Sequence, residues 1–132
     1  MIRDNLAPYK TLYVETAREY LKSIKTALVD LKISPENKEL INQVYIGAHS
    51  LKSQSVVMGF AHTGFLCHTI EYIFHEVKEG KILISLPLLQ LISSAVTKLE
   101  NGITTIERDD REVNMTENIR DLEKIILKVN HI

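Results

Sequence analysis

The chain of 132 residues carries 16 basic and 17 acidic side chains, a net charge of -1, and is 45% hydrophobic, only 6% aromatic and without Trp. That length suits one domain with an aliphatic core, the balanced charge without a basic stripe argues against nucleic acid and anionic membrane as partners, and five glycines with three prolines favour long elements over the many turns of an all-β domain. The single Cys67 excludes an internal disulfide framework and fits a reducing compartment, no apolar run approaches the roughly 20 residues of a membrane span, and the polar start MIRDNLAPYK is no signal peptide, so the expected location is cytoplasmic.

Along the chain, Tyr9, Leu12, Tyr13, Ala17, Leu21, Ile24, Leu28 and Leu31 recur at three and four, which predicts a helix over about 8–31 with one buried stripe. In ISPEN, Ser34 is the expected N-cap, Pro35 suits the first helical position and Glu36 complements the helix dipole. The second helix, about 36–59, turns Leu40, Ile41, Val44, Ala48, Leu51 and Ser55 inward and stops near Gly59, and AHTG is expected to reverse the chain. A third, about 62–79, buries Phe65, Leu66, Ile70, Ile73, Phe74 and Val77, with Gly80 past its end. KILISLP reads as a loop docked on the core, and Ser85 with Pro87 opens a fourth helix, about 86–107, whose stripe is Leu88, Leu89, Ile92, Ala95, Val96, Leu99, Ile103 and Ile106. Within it Gly102 is a weak point costing about 1 kcal/mol relative to Ala. ERDDREVNMTEN reads as an exposed connection; Asn114 and Glu117 resemble a capping box for a fifth helix, about 115–130, with Ile119, Leu122, Ile125, Ile126 and Val129 inward. Without a repeat, a low-complexity tract or a second domain, the expected architecture over 1–132 is all-α: an antiparallel four-helix bundle with an additional C-terminal fifth helix.

The chemistry concentrates in GAHSLKSQSVVMGF. With Ala48 and Leu51 inward, His49 falls on the shoulder of the second helix, Lys52 and Ser53 lie one turn on and Val56 two turns on. An exposed imidazole acts as a nucleophile through one nitrogen while an acceptor holds the other. A phosphoryl group on it would bring about two negative charges, with Lys52 as the nearby cation and the small Ser53 leaving room for another protein's active site. In FLCHTIEYIFHE, His68 and Glu71 share a face that can lie against His49, where a carboxylate would orient the imidazole tautomer. Singly, each of these residues is more often solvated surface; together they point to one site.

AHSLK followed by small residues and Gly59-Phe60, then CHTIEYIFHEVKEG, resembles the histidine-containing phosphotransfer domains, specifically the N-terminal phosphotransfer domain of the chemotaxis histidine kinase CheA. The resemblance covers nearly the whole chain, and its most specific parts are the His-x-x-Lys pair and a His-x-x-Glu pair nineteen residues after the first histidine. It implies His49 as phosphoacceptor, Lys52 as supporting cation, Glu71 as hydrogen-bond partner of His49 and His68 adjoining. The family usually has glycine where this chain has Ser53. Tyr45, Ser53, Val56 and Phe60 are then the expected docking surface.

By the same resemblance the chain performs no autonomous catalysis and belongs to a histidine protein kinase: it takes a phosphoryl group from the kinase ATP domain and gives it to an aspartate of a response-regulator receiver domain. ATP and Mg²⁺ are used by those partners, no cofactor or metal is bound here, and the domain is monomeric. The absence of a Gly-rich phosphate loop fits a substrate rather than a kinase. Two alternatives stand beside this reading: a non-catalytic helical module that has lost phosphotransfer, and a metal-binding bundle using His49, His68, Glu71 and His75. Di-iron bundles draw ligands from four helices, and helices one and four offer no such set.

Overall fold

The computed structural model describes residues 4–130. A short 3-10 segment, Asp4–Tyr9, leads into α1 (Lys10–Leu31), followed by α2 (Lys38–Val57), α3 (Ala61–Lys78), α4 (Leu86–Asp109) and α5 (Thr116–Asn130). Helix α2 packs between α1 and α3, α4 packs mainly on α1, and α5 lies against both α3 and α4. Neighbours run antiparallel: Arg18 pairs with Glu107 and Lys25 with Glu100 along α1 and α4. No described helix is long and apolar enough to cross a membrane.

The aliphatic stripes meet as expected, with Leu21, Ile24, Leu51, Ile70, Phe74 and Ile92 fully buried. Three expected core residues stay outside. Tyr9 and Leu12 are 58% and 63% exposed, because Tyr9 belongs to the 3-10 turn and Tyr13, Val14 and Ala17 fill the first core layer of α1. Phe65 is 48% exposed, since Leu66, Cys67 and Ile70 occupy the inner face of α3 and leave it on the outer one.

Capping chemistry accounts for the shifted helix ends. Asn37, not Ser34, is the N-cap of α2: its side-chain oxygen accepts from Glu39 N and Leu40 N at 3.0 and 3.1 Å, while Ser34 O closes the preceding turn by accepting from Asn37 N at 3.1 Å. At the other end, Gly59 takes φ +89, its N–H bonds Val56 O and that of Phe60 bonds Ser55 O, the pair of bonds that ends a helix in two residues. AHTG is therefore already inside α3, and Phe60, swung inward by this turn, is fully buried against Tyr13 with ring centroids 5.6 Å apart. Ser85 caps α4 as expected, accepting from Leu88 N at 3.3 Å.

The connection between α4 and α5 does more than the exposed loop expected of it. Met115 is buried over Gly102, where an added Cβ would come within 2.8 Å of Met115 Cε, so this glycine makes room for the loop. Asn114 accepts from Thr116 N at 2.9 Å, a turn two residues long in place of a capping box. Glu112 reaches back to the first turn of α3, where its Oε1 accepts from Thr63 N at 2.6 Å and Thr63 Oγ1 at 2.8 Å, satisfying a free helix-end donor.

Buried Ser55 is explained by Tyr13, whose hydroxyl lies 2.7 Å from Ser55 Oγ across α1 and α2. Removing one partner leaves the other buried and unpaired, at about 1–3 kcal/mol. Chemical denaturation of Ser55→Ala, Tyr13→Phe and the double variant should therefore show the double losing less stability than the two singles added together.

Candidate functional site

The site is a seam between α2 and α3. Successive turns pair in one register: Asn42 with Lys78, Tyr45 with His75, His49 with Glu71, and Val56 over Gly64. Gly64 lets the helices close, since a Cβ there would meet Val56 Cγ2 at 2.8 Å. That approach carries the Glu71 carboxylate, on a side chain only 10% exposed, beneath the shoulder of α2.

His49 Nδ1 and Glu71 Oε2 are 2.5 Å apart. Lys52 Nζ lies 2.9 Å from Glu71 Oε1, and His68 Nδ1 lies 3.5 Å from the same oxygen. Oε1 makes no hydrogen bond of good direction, so Lys52 holds it as an ion pair. Burial pushes the Glu71 carboxyl up, but the Lys52 ammonium and the His49 ring N–H together outweigh it and hold the group below its ordinary value of 4.5. An ionised carboxylate only accepts, so Nδ1 of His49 must be the protonated nitrogen. Nε2 is then the nitrogen with a free lone pair, on a side chain 53% exposed.

The four residues expected to form the site, His49, Lys52, His68 and Glu71, thus meet at one carboxylate. The His-x-x-Lys spacing also occurs at His75 and Lys78, and only the fold separates the two pairs. His75 finds Glu76 and Glu79 at 3.6 and 3.7 Å, beyond hydrogen-bond reach, while Lys78 is taken by Asn42 Oδ1 at 2.8 Å. Among the described residues, no three His, Cys, Asp or Glu side chains gather as metal ligands.

The expected docking residues divide. Val56 is 58% exposed, and Ser53 is exposed with its hydroxyl donating to His49 O at 3.1 Å. Tyr45 is half-buried beside His49. Phe60 is a correction: fully buried, it belongs to the core and offers a partner nothing. Phe65, expected in the core, instead sets an exposed ring beside His68, with centroids 6.4 Å apart. The surface around His49 is open. A groove of about 930 Å³ lies elsewhere, at the turn before α2 and the loop after α3, and none of the four site residues lines it.

The Hpt domain family model matches residues 8–107. The chain belongs to the Hpt domain family. Among relatives, it is 26% identical over 116 residues to the chemotaxis protein CheA of Listeria monocytogenes, a match covering 87% of this chain and 19% of that one, so the chain spans about a fifth of this relative's length. The CheA phosphotransferase domain of Thermotoga maritima is 32% identical, covering 75% of this chain and 94% of that one, with a TM-score of 0.72. A phosphorylated P1 domain of CheA3 from R. sphaeroides, solved in complex with CheY6, shares the fold at a TM-score of 0.81 and 14% identity, covering 94% and 97% of the two chains. The all-helical bundle of this Hpt domain is therefore the fold of CheA phosphotransfer domains.

Because Glu71 is held below 4.5 in the folded chain, its ionised form contributes stability that is complete above the unfolded value and lost as pH falls through the lowered folded one. Thermal melts from about pH 6 to pH 3 should therefore show a steeper loss for the parent chain than for Glu71→Gln.

Proposed function

We propose that His49 accepts a phosphoryl group from the ATP domain of a histidine kinase and passes it to an aspartate of a response-regulator receiver domain, in a chemotaxis-type system in the cytoplasm. The observation that carries this reading is the His49 Nδ1 contact with ionised Glu71 at 2.5 Å, which leaves Nε2 as nucleophile on an open face. In this reading the chain works as a monomer and is the phosphoacceptor part of a larger kinase, as the CheA relatives suggest.

The Nε2 lone pair forms the N–P bond as the bond between the γ-phosphorus of ATP and its bridging oxygen breaks, and ADP leaves. The imidazole becomes more positive during attack, and Glu71, against Nδ1–H, stabilises that charge while fixing the tautomer. The phosphoryl group then brings about two negative charges, and Lys52, one turn on, is the cation that offsets them. On delivery the N–P bond breaks, its electrons return to Nε2, and phosphorus bonds the receiver's aspartate oxygen. ATP and Mg²⁺ belong to the partner domains, which supply the rest of the chemistry. A neighbouring P1 domain of CheA3 was itself solved phosphorylated and bound to CheY6, and an open face around His49 suits a protein as the reacting partner.

Two variants test the assignment with a kinase ATP domain, ATP and mapping of acid-labile phosphate. His49→Gln should abolish labelling while helicity stays intact, and label retained on another residue, His75 above all, would refute the reading. Glu71→Ala should slow labelling about 10-fold or more, within the range for assisted proton and charge handling.

A further inference from the structure

Tyr45 stands one turn before His49 on α2, and its ring stacks beside the imidazole with centroids 6.4 Å apart and planes inclined by 15°, inside the range of favourable aromatic pairs. The tyrosine is itself held. Lys78 Nζ sits 4.3 Å from the centre of its ring, and that ammonium is fixed in turn by Asn42 Oδ1 at 2.8 Å. The His75 ring lies 6.3 Å away, tilted by 43°.

The hydrogen bond to Glu71 fixes Nδ1 of His49 but not the rotation of the ring about that contact. On a half-exposed side chain, a second contact must set the ring plane if Nε2 is to keep one direction. Resting on the phosphoacceptor reading of His49, we propose that Tyr45 is a positioning residue for phosphoryl transfer: its ring, clamped by Lys78 and Asn42, fixes the plane of the His49 imidazole so that Nε2 faces the incoming phosphorus. A tyrosine serving only to dock a partner would turn its face outward. This one is half-buried and gives its ring to a cation and two imidazoles. The aromatic face carries the effect, so Phe at this position supports it and Leu does not. Attack on phosphorus is sensitive to such alignment, because a near-attack geometry replaces orientational entropy otherwise lost in the transition state.

The test uses phosphoramidate, a small donor whose P–N bond breaks with loss of ammonia and which needs no kinase, beside the kinase ATP domain. Labelling of His49 is timed for the parent, Tyr45→Leu, Tyr45→Phe and Lys78→Gln, well below their melting temperatures, and imidazole ¹H–¹⁵N spectra report tautomer and ring environment. Tyr45→Leu should label about 5-fold more slowly with either donor and shift and broaden the His49 ring resonances while the Nδ1–H tautomer, held by Glu71, is kept; Tyr45→Phe should restore the parental rate, and Lys78→Gln should fall between. Parental rates and spectra in Tyr45→Leu, or equal slowing in Tyr45→Phe, would overturn the inference while leaving His49 as phosphoacceptor. A parent chain that takes no label from either donor would sink the phosphoacceptor reading and this inference with it.

Discussion

A carboxylate buried between two helices is costly unless charge and hydrogen bonds surround it, and everything at this site follows from how Glu71 meets that requirement. Its two oxygens are shared between His49 and Lys52, both on α2, so the ion pair stitches α2 to α3 and at the same time defines the tautomer of an exposed imidazole. Stability and chemistry use the same contact. The arrangement selects a nucleophile because Glu71 remains ionised: a protonated carboxyl could donate to Nδ1 and would leave the opposite tautomer.

The helices can hold that register because the seam is tuned along its length. Gly64 admits Val56 at one end, and Asn42 receives Lys78 at the other. The fully buried layer beneath, from Leu51 to Ile70 and Phe74, resists sliding, since a shift by one turn would trade packed side chains for voids. Glu112, from the connection after α4, secures the start of α3 by accepting from Thr63. The fifth helix and its approach thus support the helix that presents Glu71, at a distance from the chemistry.

An open site in place of a pocket has a consequence for how an Hpt domain works. In the phosphoacceptor role proposed for His49, with no enclosure around the ring, water exclusion and most charge stabilisation fall to the partner during the encounter. What this chain supplies is a fixed imidazole, one cation and a surface without obstruction. Ser53 is compatible with that economy, because its hydroxyl is already bonded to the His49 carbonyl and adds little bulk to the face.

The sequence by itself determined the five helices, most of their inward stripes and the set His49, Lys52, His68 and Glu71, because helical periodicity and spacing of three or four are local properties of the chain. Three of its departures were of one kind. Asn37 took the cap from Ser34, Phe60 turned inward at a glycine bend, and Phe65 stayed outside, each settled by competition between neighbouring residues for one position. Two His-x-x-Lys pairs are equivalent as text, and only the antiparallel register of α2 and α3 brings a buried carboxylate within hydrogen-bond distance of His49, whereas the carboxylate oxygens nearest His75, on Glu76 and Glu79, stand at 3.6 and 3.7 Å. That distinction depends on distances between residues about 20 apart in sequence, which periodicity does not encode, and so the tertiary structure alone decided which histidine has a carboxylate to hold it.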